Sequence, residues 1–139
     1  MSDSCLFCEI AKGDIPASVI YEDDTVLSFL DINPLSAGHA LIITKEHYES
    51  LLDIPSNLGS KLFSVAQKIC RAQKESLGAQ GVNWLQNNGK AAGQEIFHFH
   101  IHLIPRSIDD GMGWNHEPPR NNKSVDFEQV AKLISRSIT

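Results

Sequence analysis

No apolar run in this chain approaches the roughly 20 residues that cross a bilayer, so no membrane-spanning helix and no membrane partner are expected. The first residues lack the charged-then-apolar order of a secretion signal, which points to the cytoplasm. Basic stretches are missing too. With 12 Lys and Arg against 17 Asp and Glu, the formal charge is −5, and this argues against affinity for a nucleic acid polymer. Any nucleotide bound here would be recognised by a pocket and not by a positive field. Cysteine is scarce: three residues without a secretion signal suit a reducing compartment better than a disulfide framework. Internal repeats, low-complexity tracts and linkers are absent as well, and 139 residues suffice for one core but not for two ordinary domains.

Against these absences stands one concentration. Three of the six histidines, His98, His100 and His102, occupy alternate positions of Phe97-His98-Phe99-His100-Ile101-His102-Leu103-Ile104-Pro105. Strict alternation predicts a β-strand with the imidazoles on one face and the apolar residues on the other. The apolar face would lie on a helix. The imidazole face has three readings: a solvated or structural cluster, a metal site, or a reaction site in which a nucleophilic imidazole is flanked by donors to an anion. Residues two apart on a strand are about 6.6 Å apart, which puts His98 and His102 about 13 Å from each other. One zinc, with Zn–N bonds of about 2.0–2.1 Å, would take two neighbours but hardly all three.

The remaining chain is read as short strands around one long helix. Cys5-Leu6-Phe7-Cys8 opens a short helix stopped by Gly13, and the two thiols are half of a zinc site or simply packed thiols. Val19 to Tyr21 and Val26 to Leu30 form a hairpin across Glu22-Asp23-Asp24, followed by Asp31 and Pro34. Ala40 to Ile43 is a buried strand with His39 at its entrance and His47 beyond its exit. From about Pro55 to Leu77, apolar residues recur at spacings of three and four, an amphipathic helix that would cover the apolar side of the histidine strand. Cys70 lies in that stripe as a small core residue. Val82 to Gln86 is a further strand, and the loop from Asn87 to Glu95, with Gly89 and Gly93, either turns the chain or brings N–H groups to an anion. After Arg106 comes an extended segment with Trp114 and His116, then a short helix that Ser124 would cap. The sum is an α+β domain, an antiparallel sheet with helices segregated to one face. It spans residues 1–139, with a core of about 5–106 and a C-terminal extension over 107–139.

His98-Phe99-His100-Ile101-His102-Leu103-Ile104 matches the pattern His-φ-His-φ-His-φ-φ, with φ apolar, and so resembles the histidine triad (HIT) superfamily. The resemblance runs from about residue 5 to 106 and takes in Phe29 to Pro34, Gly38-His39, Lys45-Glu46-His47 and Gly93-Gln94. It is strongest to the Hint-like, nucleotide-binding branch with an N-terminal Cys-x-x-Cys. What this implies is a five-stranded antiparallel sheet with one long helix on one face, paired in a homodimer as a ten-stranded sheet. It further implies hydrolysis or nucleotidyl transfer at the α-phosphate of AMP- or GMP-type substrates. His100 would be the nucleophile that forms a nucleotidyl–histidine intermediate. His102 and His39 would donate to the phosphate and help the leaving group, and Asn87, Gly93, Gln94, Glu95 and Ile96 would complete the cradle. Asp31 would accept the ribose hydroxyls, while Phe7, Ile10, Phe29, Ile32 and Leu41 would line the base pocket. Cys5, Cys8, His47 and His98 would hold a structural zinc, and no organic cofactor is expected. Hint-like proteins often carry Ser or Thr after the Gly-Gln pair, where Glu95 stands here. A carboxylate there repels an anionic leaving group, so phosphoramidates or aminoacyl-type adenylates are expected over dinucleoside polyphosphates. The alternatives are a dinucleoside polyphosphate hydrolase, a zinc-stabilised nucleotide-binding module with negligible turnover, or a metal hydrolase using His39, His100 and His102.

Overall fold

The computed structural model describes residues 5–113 and 125–139. Its elements are α1 (Leu6–Lys12), β1 (Val19–Glu22), β2 (Val26–Leu30), β3 (Ala40–Thr44), α2 (Ser56–Leu77), β4 (Gly81–Leu85), β5 (His100–Arg106) and α3 (Phe127–Arg136). Single 3₁₀ turns lie at Leu51–Asp53 and Lys90–Ala92. The five strands form one open sheet in the order β1-β2-β3-β5-β4, and each neighbouring pair is antiparallel. The α+β architecture read from the sequence is therefore present, but the helices are not all on one face: α2 and α3 cover one side, whereas Phe7 of α1 packs with Leu27, Phe29, Leu41 and Ile43 on the other. No helix among the described residues is long and apolar enough to cross a membrane.

Local chemistry explains the element ends. The β1–β2 turn is built on Asp23, whose carboxylate accepts from the backbone N–H of Thr25 and Val26, each at 2.9 Å, and from Tyr21 Oη at 2.7 Å. Lys61 of α2 reaches the same carboxylate at 3.0 Å and so ties the helix to the hairpin. Partial burial pushes this carboxyl's pKa up, but the converging donors outweigh it and hold the group well below the ordinary carboxylate range. Helix α2 stops at Gly78, which adopts the left-handed conformation that glycine tolerates without a Cβ clash. Asp126 caps α3 by accepting from Gln129 N–H at 3.1 Å. The cap expected at Ser124, together with Trp114 and His116, lies outside the described residues.

The sheet separates two apolar layers. On one side Leu62, Val65, Ala66, Ile69 and Ala72 of α2 pack against Ala40, Ile42, Phe99, Ile101 and Leu103, as the two periodicities predict. Ala131 and Ile134 of α3 close the same core. Each large aliphatic side chain buried here contributes about 1.5–3 kcal/mol. Phe7, Leu27, Phe29, Leu41 and Ile43 form a smaller cluster on the other side. In the β3–β5 register, Leu41 faces His102 and Ile43 faces His100, so this second layer shares its face with those two histidines.

One strand boundary differs from the sequence reading by more than a residue. Alternation predicts a strand from Phe97, but β5 begins at His100. The ladder stops because its next partners are taken: Thr44 O accepts from His98 Nε2 at 2.6 Å, and Phe99 N–H donates to Tyr48 O at 2.7 Å. Only His100 and His102 therefore belong to the strand; His98 precedes it and, although Phe7 lies edge-on to both His98 and His100, its ring serves a different set of groups.

Candidate active site and metal centre

Among the described residues, two sets of metal-capable donors converge, each with its ligand atoms within 4.8 Å of one another: Cys5, Cys8, His47 and His98, and Asp31, His39 and His102. Hydrogen-bond directions distinguish them. In the first set, His98 is fully buried and its Nε2 faces the Thr44 carbonyl, which can only accept. Nε2 therefore carries the proton, and Nδ1 presents its lone pair to the thiols, as a metal-ligating histidine requires. His98 Nδ1 lies 3.3 Å from Cys5 Sγ, 3.5 Å from Cys8 Sγ and 3.2 Å from His47 Nδ1, and Cys8 Sγ lies 3.2 Å from His47 Nδ1. These spacings approach the edges of roughly 3.3–3.8 Å of a tetrahedron built from ordinary Zn–N and Zn–S bonds. Two thiolates and two imidazoles are also a familiar structural zinc set. The residues fit the metal.

Burial pushes the His98 pKa below its ordinary value; the bond to Thr44 opposes this, and the neighbouring His47 and His100 add to it. Helix α1 brings both thiols to the cluster, with Cys5 as its N-cap accepting from Cys8 N–H. It also places Phe7 edge-on to His100, at 5.1 Å between ring centroids, and to Phe29 at 5.7 Å.

The second set reads otherwise. Leu35 N–H donates to His39 Nδ1 at 3.1 Å, so in the neutral ring the proton sits on Nε2. That Nε2–H points at His102 Nδ1, 2.9 Å away. His102 then keeps its own proton on Nε2, and the chain from Leu35 through His39 to His102 ends in an Nε2–H donor. A cation held by His39 Nε2 would have to displace the proton that this relay needs. The directions support a hydrogen-bond relay over a catalytic metal. Asp31 flanks the pair, with Oδ2 at 3.6 Å from His39 Nε2 and 4.0 Å from His102 Nδ1, while Oδ1 accepts from Asn33 N–H.

His100 lies between the two sets, its ring 5.1 Å from that of His102. His100 Nδ1 sits 2.7 Å from the His98 carbonyl, which again can only accept. The proton is on Nδ1 and the lone pair on Nε2. Burial lowers the His100 pKa, opposed by the bond to His98 and by the charge of Asp31. One residue, His98, thus serves the metal donors with its ring and orients His100 with its carbonyl.

The remaining expected residues fall into two groups. Phe7, Phe29 and Leu41 are buried together, with Ile10 and Ile96 packed against them, whereas Ile32 is 76% exposed at the rim. The loop after β4 is organised by Gln94, which is buried. Its Oε1 accepts from Gly89 N–H at 2.7 Å, and its Nε2 donates to Glu49 O at 2.7 Å and Ile96 O at 3.1 Å. The N–H groups of Gly93 and Gln94 are spent on Lys90 O and Gly89 O, and Asn87 Nδ2 faces Gly93 O at 3.5 Å. Glu95 is exposed. Three orienting groups, the Thr44 and His98 carbonyls and the Leu35 N–H, were not anticipated; all act through the backbone, where residue type carries no signal.

Comparison with known proteins matches residues 12–108 to the HIT domain family. The chain is 41% identical over 135 residues to an adenylylsulfatase of Arabidopsis thaliana, covering 97% of this chain and 68% of that protein. It is 38% identical over 137 residues to an adenosine 5′-monophosphoramidase of Candida albicans, covering 94% and 86%. Among solved structures, a zinc-bound histidine triad family protein from Mycobacterium smegmatis superimposes with a TM-score of 0.85 at 39% identity, over 99% of this chain and 94% of that one.

Proposed function

The chain belongs to the HIT domain family, and on that premise we propose that it is a nucleotide hydrolase acting at the α-phosphate of purine nucleoside monophosphate derivatives through a covalent intermediate on His100. The observation that carries this reading is the His100 Nδ1–H bonded to His98 O, which leaves Nε2 as an oriented, uncharged nucleophile. Nε2 attacks phosphorus as the bond to the leaving group breaks. His102 Nε2–H, at the end of the relay through His39, donates to the phosphate oxygens. A leaving amine departs with a proton supplied from solvent, because the neutral His39–His102 pair would become an imidazolate by giving one up. Asp31 beside the pair balances the positive charge that gathers on the imidazoles. Water then opens the nucleotidyl–histidine bond and returns a proton to solvent. Asp31 keeps lone pairs for ribose hydroxyls, and the base rests near Ile10 and Ile32 over the cluster of Phe7, Phe29 and Leu41. Asn87, Gly93, Gln94, Glu95 and Ile96 shape the phosphate side, with Gln94 holding the loop. Cys5, Cys8, His47 and His98 would hold a structural zinc through four protein donors, tying α1 to the sheet and leaving catalysis to His100, His102 and His39.

The leaving group is the point on which two readings divide. Exposed Glu95 favours amines, while the likeness to an adenylylsulfatase favours an anionic sulfate. We expect wild-type protein to cleave an adenosine phosphoramidate faster than adenylyl sulfate, and Glu95→Ser to narrow that ratio by roughly three- to tenfold, equivalent to about 1 kcal/mol of screened repulsion. Steady-state kcat/KM for both substrates decides it. A wild-type preference for the sulfate, or a ratio unmoved by Glu95→Ser, removes the argument.

The dimer is part of the same proposal. Phe63 on α2 is 67% exposed and Trp84 on edge strand β4 is 48% exposed, their rings 6.0 Å apart. An apolar pair beside an unpaired strand edge suits a second copy that extends the sheet to ten strands. Sedimentation should give a dimer at micromolar concentration and a monomer for the double variant Phe63→Glu, Trp84→Glu. A monomeric wild type would overturn it.

A further inference from the structure

Helix α2 carries one polar side chain deep in its apolar face. Gln73 follows Ile69 by four residues and is fully buried, as are Ile69 and Ala72. Its Nε2 donates one hydrogen bond to Gly38 O at 3.0 Å and one to Leu103 O at 3.1 Å. Gly38 immediately precedes His39, and Leu103 immediately follows His102. A single NH₂ group therefore bridges the backbone neighbours of the two imidazoles joined by the 2.9 Å contact. Gln73 Oε1, in contrast, is buried without a hydrogen-bond partner. A buried amide with an orphan oxygen is unfavourable next to an apolar residue of equal size, so its retention needs a reason in what the NH₂ group does.

The surroundings make the tie tight. Gly38 has φ +91° and no room for a Cβ, which would overlap Leu77 of α2 and lie 3.5 Å from both Ile134 Cδ1 and Pro105 Cγ. The backbone entering His39 is thus pressed onto α2, α3 and the end of β5. Ser36 Oγ donates to Pro105 O at 2.6 Å and fixes the start of the same loop, while Gln73 fixes its end at the histidine. Because the planar amide sets the angle between its two N–H bonds, it sets the separation of the two carbonyls and, through them, the offset of His39 from His102.

We infer that Gln73 is a positioning residue: its amide holds Gly38 and Leu103 in the register that lets His39 Nε2–H reach His102 Nδ1. This rests on the proposed role of that pair in phosphate chemistry, but its geometric content is independent of activity. Gln73 touches no reacting atom. It acts from the opposite side of the sheet and places the relay that ends at the substrate.

The test uses Gln73→Met, which matches the side chain in length, removes both donors and also removes the orphan oxygen. The variant is expected to stay folded, with kcat for an adenosine phosphoramidate reduced roughly ten- to hundredfold and KM within about twofold. The ¹⁵N signals of His39 and His102 should change from the single Nε2–H tautomer to a mixture, an effect that loss of packing alone does not require. In the wild type, both Gln73 side-chain amide protons should shift when AMP occupies the site, a readout that needs no variant to fold. Unchanged imidazole tautomers with wild-type kcat in a folded Gln73→Met protein would overturn the inference, as would Gln73 amide signals indifferent to bound AMP. If the wild type turns over no phosphoramidate, the functional reading fails, and the tautomer measurement still decides whether Gln73 sets the pair.

Discussion

Replacing His100 by alanine should lower turnover of an adenosine phosphoramidate by at least about a thousandfold, because the residue that forms the new bond to phosphorus cannot be replaced by its neighbours. His102 lies next to it, but its Nδ1 is taken by His39 and its Nε2 carries a proton, so it offers a donor and no lone pair. His98 points its ring to the thiols. No other imidazole of the triad can therefore take over the attack. The variant should remain folded, since His100 contributes ring contacts with Phe7 and His102 and a bond to His98 O, and is not part of the apolar core. Removing His102 instead should cost less, on the order of a hundred- to a thousandfold, the range for losing one donor to a developing charge. Steady-state kinetics beside circular dichroism checks both. A folded His100→Ala protein with more than a tenth of wild-type activity would remove the nucleophile from the mechanism.

Stripping the metal should have the second largest effect, and it should be visible without substrate. A ligand present at a thousand times its Kd stabilises the native state by about 4 kcal/mol. For chains of this size each kcal/mol moves the melting temperature by about 2–4 °C, so a strong chelator should lower it on the order of 10 °C. Without metal, the Nδ1 atoms of His47 and His98, 3.2 Å apart, lose the centre that would bring them together. Helix α1, only seven residues long, would then be held to the sheet chiefly by Phe7 and its partners. Turnover should fall with it, since Phe7 covers His100 and the His98 carbonyl orients it. Zinc added back should restore the wild type but not Cys8→Ala. Calorimetry with and without chelator measures this, and a melting temperature unmoved by chelation in metal-loaded protein would show that the four donors hold nothing of structural weight.

How much of this was legible in the sequence depends on the residue. The alternation around His100 and the three-four spacing of Leu62, Val65, Ala66 and Ile69 correctly predicted a strand covered by a helix, because both patterns record which face is buried. Spacing said only that one metal could hardly take all three imidazoles; the family resemblance, and not spacing, placed His98 with the thiols. The start of β5 was not legible. Alternation continues through Phe97 and His98, but whether a residue pairs depends on what occupies the partner strand's carbonyls, and Thr44 O is claimed by a side chain. The tautomers of His39, His98 and His100 depend on backbone groups of Leu35, Thr44 and His98, which no sequence pattern marks. Gln73 did leave a signal, a polar residue four positions after Ile69 on an otherwise apolar stripe, but the pattern alone does not say which carbonyls it serves.

The stereochemical course at phosphorus offers the most direct test of a covalent intermediate on His100. An adenosine phosphoramidate made chiral at phosphorus by one sulfur atom would be hydrolysed in ¹⁸O-labelled water and the configuration of the product determined. Attack by His100 Nε2 and then by water are two in-line displacements, each inverting the centre, so net retention is expected. Net inversion would mean that water attacks the substrate directly, and that His100 binds or polarises the phosphate without ever bonding to it.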